Sequence, residues 1–96
     1  MSAEIKDIPL TDNAENHAFE MNIDGDLAFI DYEDQGDAIA LIHTEVPESL
    51  EGKGIGSVLV LKTLNHIEAQ GKKIVVQCSF VRSFIKKHPE WERLVK

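Results

Sequence analysis

The sequence is poor in the features that mark several classes of protein. Its 96 residues include one cysteine and three prolines, and aromatic residues make up only 6%. The lone Cys78 excludes a disulfide within the chain and suits a reducing compartment. No apolar run approaches the roughly 20 residues of a membrane span, and residues 1–7 lack the basic and then apolar stretch of a signal peptide. We therefore expect a cytoplasmic protein that does not partner a membrane.

Positive charge is almost missing from the first half of the chain. Residues 1–51 contain fourteen Asp and Glu against one Lys, whereas residues 52–96 contain nine Lys and Arg against three Glu. The net charge of −7 therefore hides a strong asymmetry. An acidic half disfavours nucleic acid and attracts cationic substrates, and a basic half suits a polyanionic small ligand. The alternative is a solvated surface on which the charges simply segregate.

The length and the residue pattern predict one small α/β domain over residues 1–96. Residues 1–16 are polar and acidic and indicate a loosely ordered lead-in. Phe19, Met21 and Ile23 alternate with polar residues, which predicts a strand over residues 18–23, and Asp24-Gly25 predicts a tight turn into a returning strand over residues 27–32. After a second turn at residues 34–37, residues 38–46 predict a central strand with apolar residues on both faces, including Ile39 and Leu41.

The second half of the chain predicts two helices around one further strand. Pro47 ends the third strand, and a helix over residues 54–70 ends before Gly71. Its predicted apolar stripe contains Ile55, Val58, Leu59, Leu61, Leu64 and Ile67. Residues 72–78 predict a strand parallel to the third, Ser79 caps a helix through Lys87, and the tail with Trp91 docks on the sheet. The prediction is a compact mixed sheet of about four strands, an antiparallel hairpin followed by β-α-β-α.

The segment Glu51-Gly52-Lys53-Gly54-Ile55-Gly56-Ser57 joins the central strand to the first helix. Glycines allow positive φ and close approach, and the N-terminus of a helix offers unpaired N–H groups, so the segment is typical of a phosphate site. A Walker A loop is excluded because Lys53 stands between glycines instead of after the last one. A dinucleotide fingerprint is excluded by the glycine spacing and by the short chain.

The remaining pattern resembles the acyl-CoA loop of the GNAT superfamily of N-acetyltransferases. That loop is Gln/Arg-x-x-Gly-x-Gly/Ala, and Glu51-x-x-Gly54-x-Gly56 matches it except at the first position. Two flanking segments extend the resemblance to the superfamily's minimal single-domain branch: the run from His43 to Pro47, and Cys78 followed by Phe84-Ile85-Lys86-Lys87-His88-Pro89-Glu90. The resemblance covers roughly the last two thirds of the chain.

The resemblance implies a site for acetyl-CoA between splayed third and fourth strands. It implies that the amides from Lys53 to Ser57 bind the pyrophosphate, and that the pantetheine and acetyl group lie between the strands. The coenzyme-binding positions implied are Val46, Glu51, Gly52, Lys53, Gly54, Ile55, Gly56, Ser57, Phe84 and Lys87. Two of them depart from the family, because Glu51 brings a carboxylate near a polyanion and Phe84 stands where relatives often carry a proton-donating Tyr.

His43 and Cys78 are the candidate catalytic residues. Acetyl transfer to an amine needs a base, and a histidine titrates near working pH. In the branch that the chain resembles, these two positions are suspected of catalysis. They would act either as a pair with a thiolate nucleophile or as separate groups in a direct transfer. The alternatives are a buried structural cysteine and a structural histidine on the face of Ile39 and Leu41.

The resemblance implies an N-acetyltransferase that acts on an unidentified primary amine of a small molecule or protein. We expect no metal, since the histidines show no ligand spacing with Cys78, no nucleic acid partner, and a monomer or weak dimer. The competing hypothesis is a non-catalytic acyl-CoA-binding or protein-interaction module on the same fold.

Overall fold

The computed structural model describes residues 5–96. Its strands are β1 (Thr11–Asn13), β2 (Ala18–Ile23), β3 (Asp26–Asp34), β4 (Ala38–Glu45) and β5 (Lys73–Val76), and its helices are α1 (Ile55–Ala69) and α2 (Ser79–Lys87). Short 3-10 helices cover Ile5–Asp7, Glu48–Leu50 and Pro89–Leu94. The order of the elements confirms the predicted α/β class.

The five strands form one mixed sheet in the order β1-β2-β3-β4-β5. The first four pair antiparallel, and β4 pairs parallel with β5 through the α1 crossover. The hairpin, the central strand and the parallel pair are confirmed. The turn at Asp24 and Gly25 has φ of 53° and 92°, and the Asn22 side chain accepts a hydrogen bond from the Gly25 N–H at 2.9 Å. Both residues therefore adopt the left-handed conformation that two-residue hairpins favour.

The sequence missed strand β1, which lies inside the predicted lead-in. Residues 1–4 of that lead-in lie outside the described residues, but residues from Ile5 onward form a 3-10 turn and this edge strand. β1 has only three residues, all polar, so it shows no apolar alternation. Its side chains hold it to the sheet instead, because the Tyr32 hydroxyl donates to Asp12 at 2.6 Å and Asn13 donates to Glu20. The loosely ordered lead-in is therefore wrong for residues 5–13.

A β-bulge in β4 changes which way its side chains point. Tyr32 pairs with Leu41 and Asp31 pairs with His43, so Ile42 has no partner on β3. Directly opposed residues share a face and neighbours in a strand alternate. Leu41 and His43 therefore lie on opposite faces of the sheet. The prediction that His43 shares a face with Ile39 and Leu41 is wrong, because simple alternation cannot anticipate the extra residue of a bulge.

Both helices pack on one face of the sheet and bury a single apolar core. From α1 the core includes Leu59, Leu64 and Ile67, and α2 adds Val81, Phe84 and Ile85. Two members of the predicted α1 stripe do not belong to it, since Leu61 is 41% exposed and Val58 only borders the core. The sheet contributes Phe19, Met21, Ile23, Ala28, Ile30, Tyr32, Ile39, Leu41 and Ile74.

The ends of both helices and the tail follow the predicted order with one correction. Gly71, with φ of 74°, follows α1 as predicted. Helix α2 is preceded by Cys78 as the N-cap residue, without a side-chain cap, so Ser79 is its first helical residue and not its cap. The predicted docking of the tail is confirmed: Trp91 is buried, and the Lys96 N–H donates to the Ile74 carbonyl at 2.9 Å.

Candidate functional site

The ladder between the parallel strands β4 and β5 ends before β4 reaches the glycine loop. Their ladder ends at the pair Leu41 and Val76, whereas β4 continues to Glu45. The N–H groups of Gln77 and Cys78 both donate to the Leu41 carbonyl at 2.9 Å, which closes the ladder. Beyond this point β5 has ended, and β4 continues without a strand on that side. The implied splay of the two strands stays a prediction, because the ladder ends where β5 itself ends.

The glycine loop leads into α1, and no side chain caps the first turn of this helix. Gly52 and Gly54 have φ of 80° and 75°, and Gly54 is the N-cap residue in the left-handed conformation. A non-glycine residue in that conformation costs roughly 1–2 kcal/mol. The first amides of a helix have no partner within the helix, and no side chain caps those of α1. A 15-residue helix also brings the positive end of its dipole to this point.

A cleft of about 480 Å³ lies between the end of β4, the loop and the start of α2. Seven of the predicted coenzyme-binding residues line it: Val46, Glu51, Gly52, Gly54, Ile55, Gly56 and Ser57. Thr44, Glu45, Leu50 and Phe80 complete the lining. Lys53 is not among the lining residues, although it stands between two that are. The structure therefore brings most of the predicted loop together around one concave surface.

The other two predicted binding residues lie in a neighbouring hollow. Phe84 and Lys87 line a space of about 140 Å³ on α2, and Ser57 and Phe80 line both this hollow and the larger cleft. The Phe84 ring is buried and lies 4.4 Å from the ring of His88, measured between centroids. The predicted positions thus form two adjoining concavities that meet at Ser57 and Phe80.

Phe80 is a site residue that sequence reasoning missed. Its ring is 41% exposed and lies against Gly56, where an added Cβ would come within 2.6 Å of the Phe80 Cζ. Gly56 therefore leaves room for the ring at the start of α1. The sequence gives no signal for this role, because Phe80 lies four residues before Phe84 and so fits the apolar stripe of α2.

Cys78 is buried and contacts Thr44, not His43. The thiol is 5% exposed, belongs to the core, and lies 3.2 Å from the Thr44 hydroxyl. Thr44 pairs with Ile30 and so points to the helix-covered face, where it also lines the cleft. Sequence reasoning did not assign Thr44 a role. No pattern in the sequence marks Thr44, because its contact with Cys78 forms only where β4 continues beyond the end of β5.

His43 lies on the opposite face and is paired with a carboxylate. Its Nε2 lies 3.1 Å from Glu45 Oε1, and both side chains are 57% exposed. Glu45 also lines the cleft, so the pair stands at its border. The structure therefore does not bring His43 and Cys78 together as a hydrogen-bonded pair within the described residues. It places them on two sides of the same strand.

The family comparison agrees with this architecture. The family model described as GCN5-related N-acetyl-transferase matches residues 18–94, from the start of β2 to the last 3-10 helix. The chain belongs to the GCN5-related N-acetyltransferase (GNAT) family. One curated relative, protein NATD1 of Bos taurus, is 34% identical over 65 residues, which are 67% of this chain and 58% of that protein. The chain thus spans a little over half the length of this relative.

Within residues 5–96, no group of three or more His, Cys, Asp and Glu side chains is arranged to hold a metal ion. None of the helices described is both long and apolar enough to cross a membrane.

Proposed function

We propose that this GNAT chain binds acetyl-CoA in the cleft and transfers its acetyl group to a primary amine. The observation that carries the proposal is the coincidence of two features at one point, the unpaired end of β4 beyond the β4–β5 ladder and the uncapped, glycine-led start of α1. The first leaves an open space beside a strand edge, and the second supplies amides and a positive dipole end for a diphosphate. The bound group supplies an activated thioester.

Different residues around the cleft suit the diphosphate, the pantetheine arm and the adenosine end of acetyl-CoA. The amides of Lys53 to Ser57 are the proposed diphosphate contacts, and Gly52 and Gly54 give the backbone its turn. Val46 borders the end of β4 and is half-buried, which suits the pantetheine arm. Phe84 and Lys87, which line the neighbouring hollow, are the proposed contacts for the adenosine end, where a lysine favours phosphate.

The transfer needs a proton to leave the amine before its nitrogen attacks the thioester carbonyl carbon. The new C–N bond forms as the C–S bond breaks, and the thiolate that leaves takes up the proton that the acylated nitrogen gives up. His43, with Glu45 beside it, is the proposed acceptor of the amine proton, because its exposed imidazole stands at the cleft border. The separation of His43 from Cys78 supports direct transfer over an acetyl-cysteine intermediate.

Titration with acetyl-CoA tests the binding step. We expect calorimetry to show binding of acetyl-CoA and far weaker binding of acetyl-pantetheine, which lacks the diphosphate that the loop amides would hold. Equal affinity for the two compounds would exclude the loop as a diphosphate site. Absence of acetyl-CoA binding at millimolar concentration would overturn the proposal as a whole.

Glu51 provides a sharper test of where the polyanion lies. Its carboxylate lines the cleft, so Glu51→Gln should tighten acetyl-CoA binding about fivefold, since one exposed charge contributes up to ~1 kcal/mol. The matched control is Glu92→Gln, which removes the same charge at an exposed position away from the cleft. An equal gain in affinity in both variants would indicate that the net charge of the protein, and not the position of Glu51, affects acetyl-CoA binding.

Release of free thiol after addition of an amine tests the chemical step. We expect His43→Gln to lower kcat about a hundredfold, as loss of a general base does, and Cys78→Ala to leave an active enzyme. Mass spectrometry should find no acetylated Cys78 when acetyl-CoA is added without amine. The competing function, a non-catalytic acyl-CoA-binding or protein-interaction module, is supported if acetyl-CoA binds and no amine releases thiol.

A further inference from the structure

One face of the sheet carries both helices, and the opposite face, which we call the open face, carries neither. The register places Ala18, Glu20, Phe29, Asp31, Glu33, Ala38, Ala40, His43, Glu45, Lys73 and Val75 on the open face. Ala18, Ala38 and Ala40 are buried and yet do not belong to the core that the helices form. Phe29 and Val75 are only half-buried, and the bulge residue Ile42 is 42% exposed.

The open face carries four carboxylates, those of Glu20, Asp31, Glu33 and Glu45. Within residues 5–96, none of Glu20, Asp31, Glu33 and Glu45 forms an ion pair with Lys or Arg. Glu20 and Glu33 accept hydrogen bonds from side-chain amides, and Glu45 faces His43.

Carboxylates elsewhere in the molecule show the contrast. Asp34, Asp37 and Glu68 each lie within 3.4 Å of a Lys or Arg nitrogen. Lys73, the one Lys or Arg that the register places on the open face, donates to the Arg93 carbonyl. The open face therefore has negative charge that the described part of the chain does not neutralise, and it would repel a second copy of itself.

These four carboxylates are spread too widely for one ammonium group. They stand on three neighbouring strands, which lie ~4.8 Å apart, so they span about 10 Å across the sheet. Between them lie Phe29 and the small alanines. A matching partner has several cations separated by apolar surface. Lysine side chains meet both needs, because their methylene stems cover apolar surface while the ammonium groups reach carboxylates.

The open face leads directly to the cleft. Glu45 belongs to the face by its pairing with Phe29 and also lines the cleft, and His43 stands beside it. We propose that the open face docks a lysine-rich segment of a partner protein and that one of its lysines is the acetyl acceptor, an inference that rests on the proposed transferase function. The positive segment lies across Glu20, Asp31 and Glu33, and the reacting amine reaches His43 at the end of β4.

Fluorescence anisotropy with a labelled peptide of alternating lysine and leucine tests the docking without any acetyl transfer. The variant Glu20→Gln/Asp31→Asn/Glu33→Gln should bind about tenfold more weakly than the wild type, as loss of three exposed charge pairs implies. The control Glu15→Gln/Glu90→Gln/Glu92→Gln removes three charges from exposed positions outside the open face and should bind within twofold of the wild type. Circular dichroism should show that both variants are folded.

Kinetics then separates the docking from the transfer. With the peptide as acceptor, the open-face variant should show an about tenfold higher KM and an unchanged KM for acetyl-CoA. Equal loss of peptide binding in both triple variants would overturn the inference, and so would acetylation of spermidine without any binding of the peptide. Peptide binding that depends on the open face, without acetylation, would support the docking and overturn the transferase function.

Discussion

The two faces of the sheet differ in what stabilises them and in what they leave for binding. The covered face contributes Phe19, Ile30 and Leu41 to a core closed by α1 and α2. The open face carries Phe29 among carboxylates that no Lys or Arg of residues 5–96 neutralises. One strand can therefore serve stability with one set of side chains and recognition with the alternate set. The cleft lies where the two faces meet, at the end of β4.

The largest expected effect compares the same substitution on the two faces. Phe19→Ala removes a side chain that is 1% exposed and should lower the free energy of unfolding by about 3–5 kcal/mol. Phe29→Ala removes a half-buried ring from the open face and should cost about 1 kcal/mol or less. Urea denaturation measures both values. Similar losses would mean that a helix or another segment covers the open face.

The second comparison uses two glycines with the same backbone conformation. Gly54 has φ of 75° at the cleft and Gly71 has φ of 74° after α1, and a Cβ at either would meet nothing within 4 Å. Alanine at each should therefore lower the free energy of unfolding by a similar ~1–2 kcal/mol of backbone strain. Only Gly54→Ala should weaken acetyl-CoA binding in a calorimetric titration. If Gly71→Ala weakened acetyl-CoA binding equally, the loss in Gly54→Ala would not indicate a role of the loop in binding.

A hydrogen bond on the covered face gives a pH-dependent prediction. Burial, followed by the hydrogen bond to Asp12, raises the pKa of Tyr32 to about 12 from 10.0. The protonated phenol is therefore favoured in the folded state, and its contribution to stability is complete below pH 10 and lost as the pH rises to about 12.

The variant Tyr32→Phe isolates this contribution. It should lower the free energy of unfolding by about 1.5 kcal/mol at pH 8, and its difference from the wild type should shrink between pH 10 and 12. Urea denaturation at several pH values measures it. A difference that stayed constant over this range would contradict the assigned role of the phenol.

The smallest expected effect is a gain in stability. Thr63 on α1 is 0% exposed, and its hydroxyl has no hydrogen-bond partner in the described part of the chain. Thr63→Val replaces the hydroxyl by a methyl group of similar size and should raise the free energy of unfolding by about 1 kcal/mol. Thermal denaturation checks this value. The exposed Thr11 of β1 offers a control, because Thr11→Val should change the stability far less.

Much of the fold was predictable because local patterns coincide with tertiary needs. Phe19, Met21 and Ile23 alternate in sequence and are all buried, and Asp24-Gly25 specifies its turn through positive φ. The turn into α1 was predictable because the positive φ of Gly52 and Gly54 favours glycine. Strand β1 was not predictable, since its three polar residues are held by Tyr32 and Glu20 from other strands.

The glycine loop of the candidate site was predictable, but the contacts between side chains from different elements of the site were not. Thr44 contacts Cys78, and Phe80 lies against Gly56, through approaches that no sequence spacing encodes. Likewise Leu61 fits the helical stripe of α1 and is still exposed. Periodicity predicts which side of a helix is apolar. The elements that pack against the helix decide how much of that side is buried.

The sequence by itself determined the α/β order of elements, the glycine-led start of α1 and the separation of acidic and basic halves, because turn chemistry, periodicity and charge are local properties. Only the tertiary structure decided that the bulge at Ile42 turns His43 away from Cys78 and onto the open face. One unpaired residue reverses the alternation of every side chain that follows it. That single reversal separates the two candidate catalytic residues and joins His43 to the acidic surface.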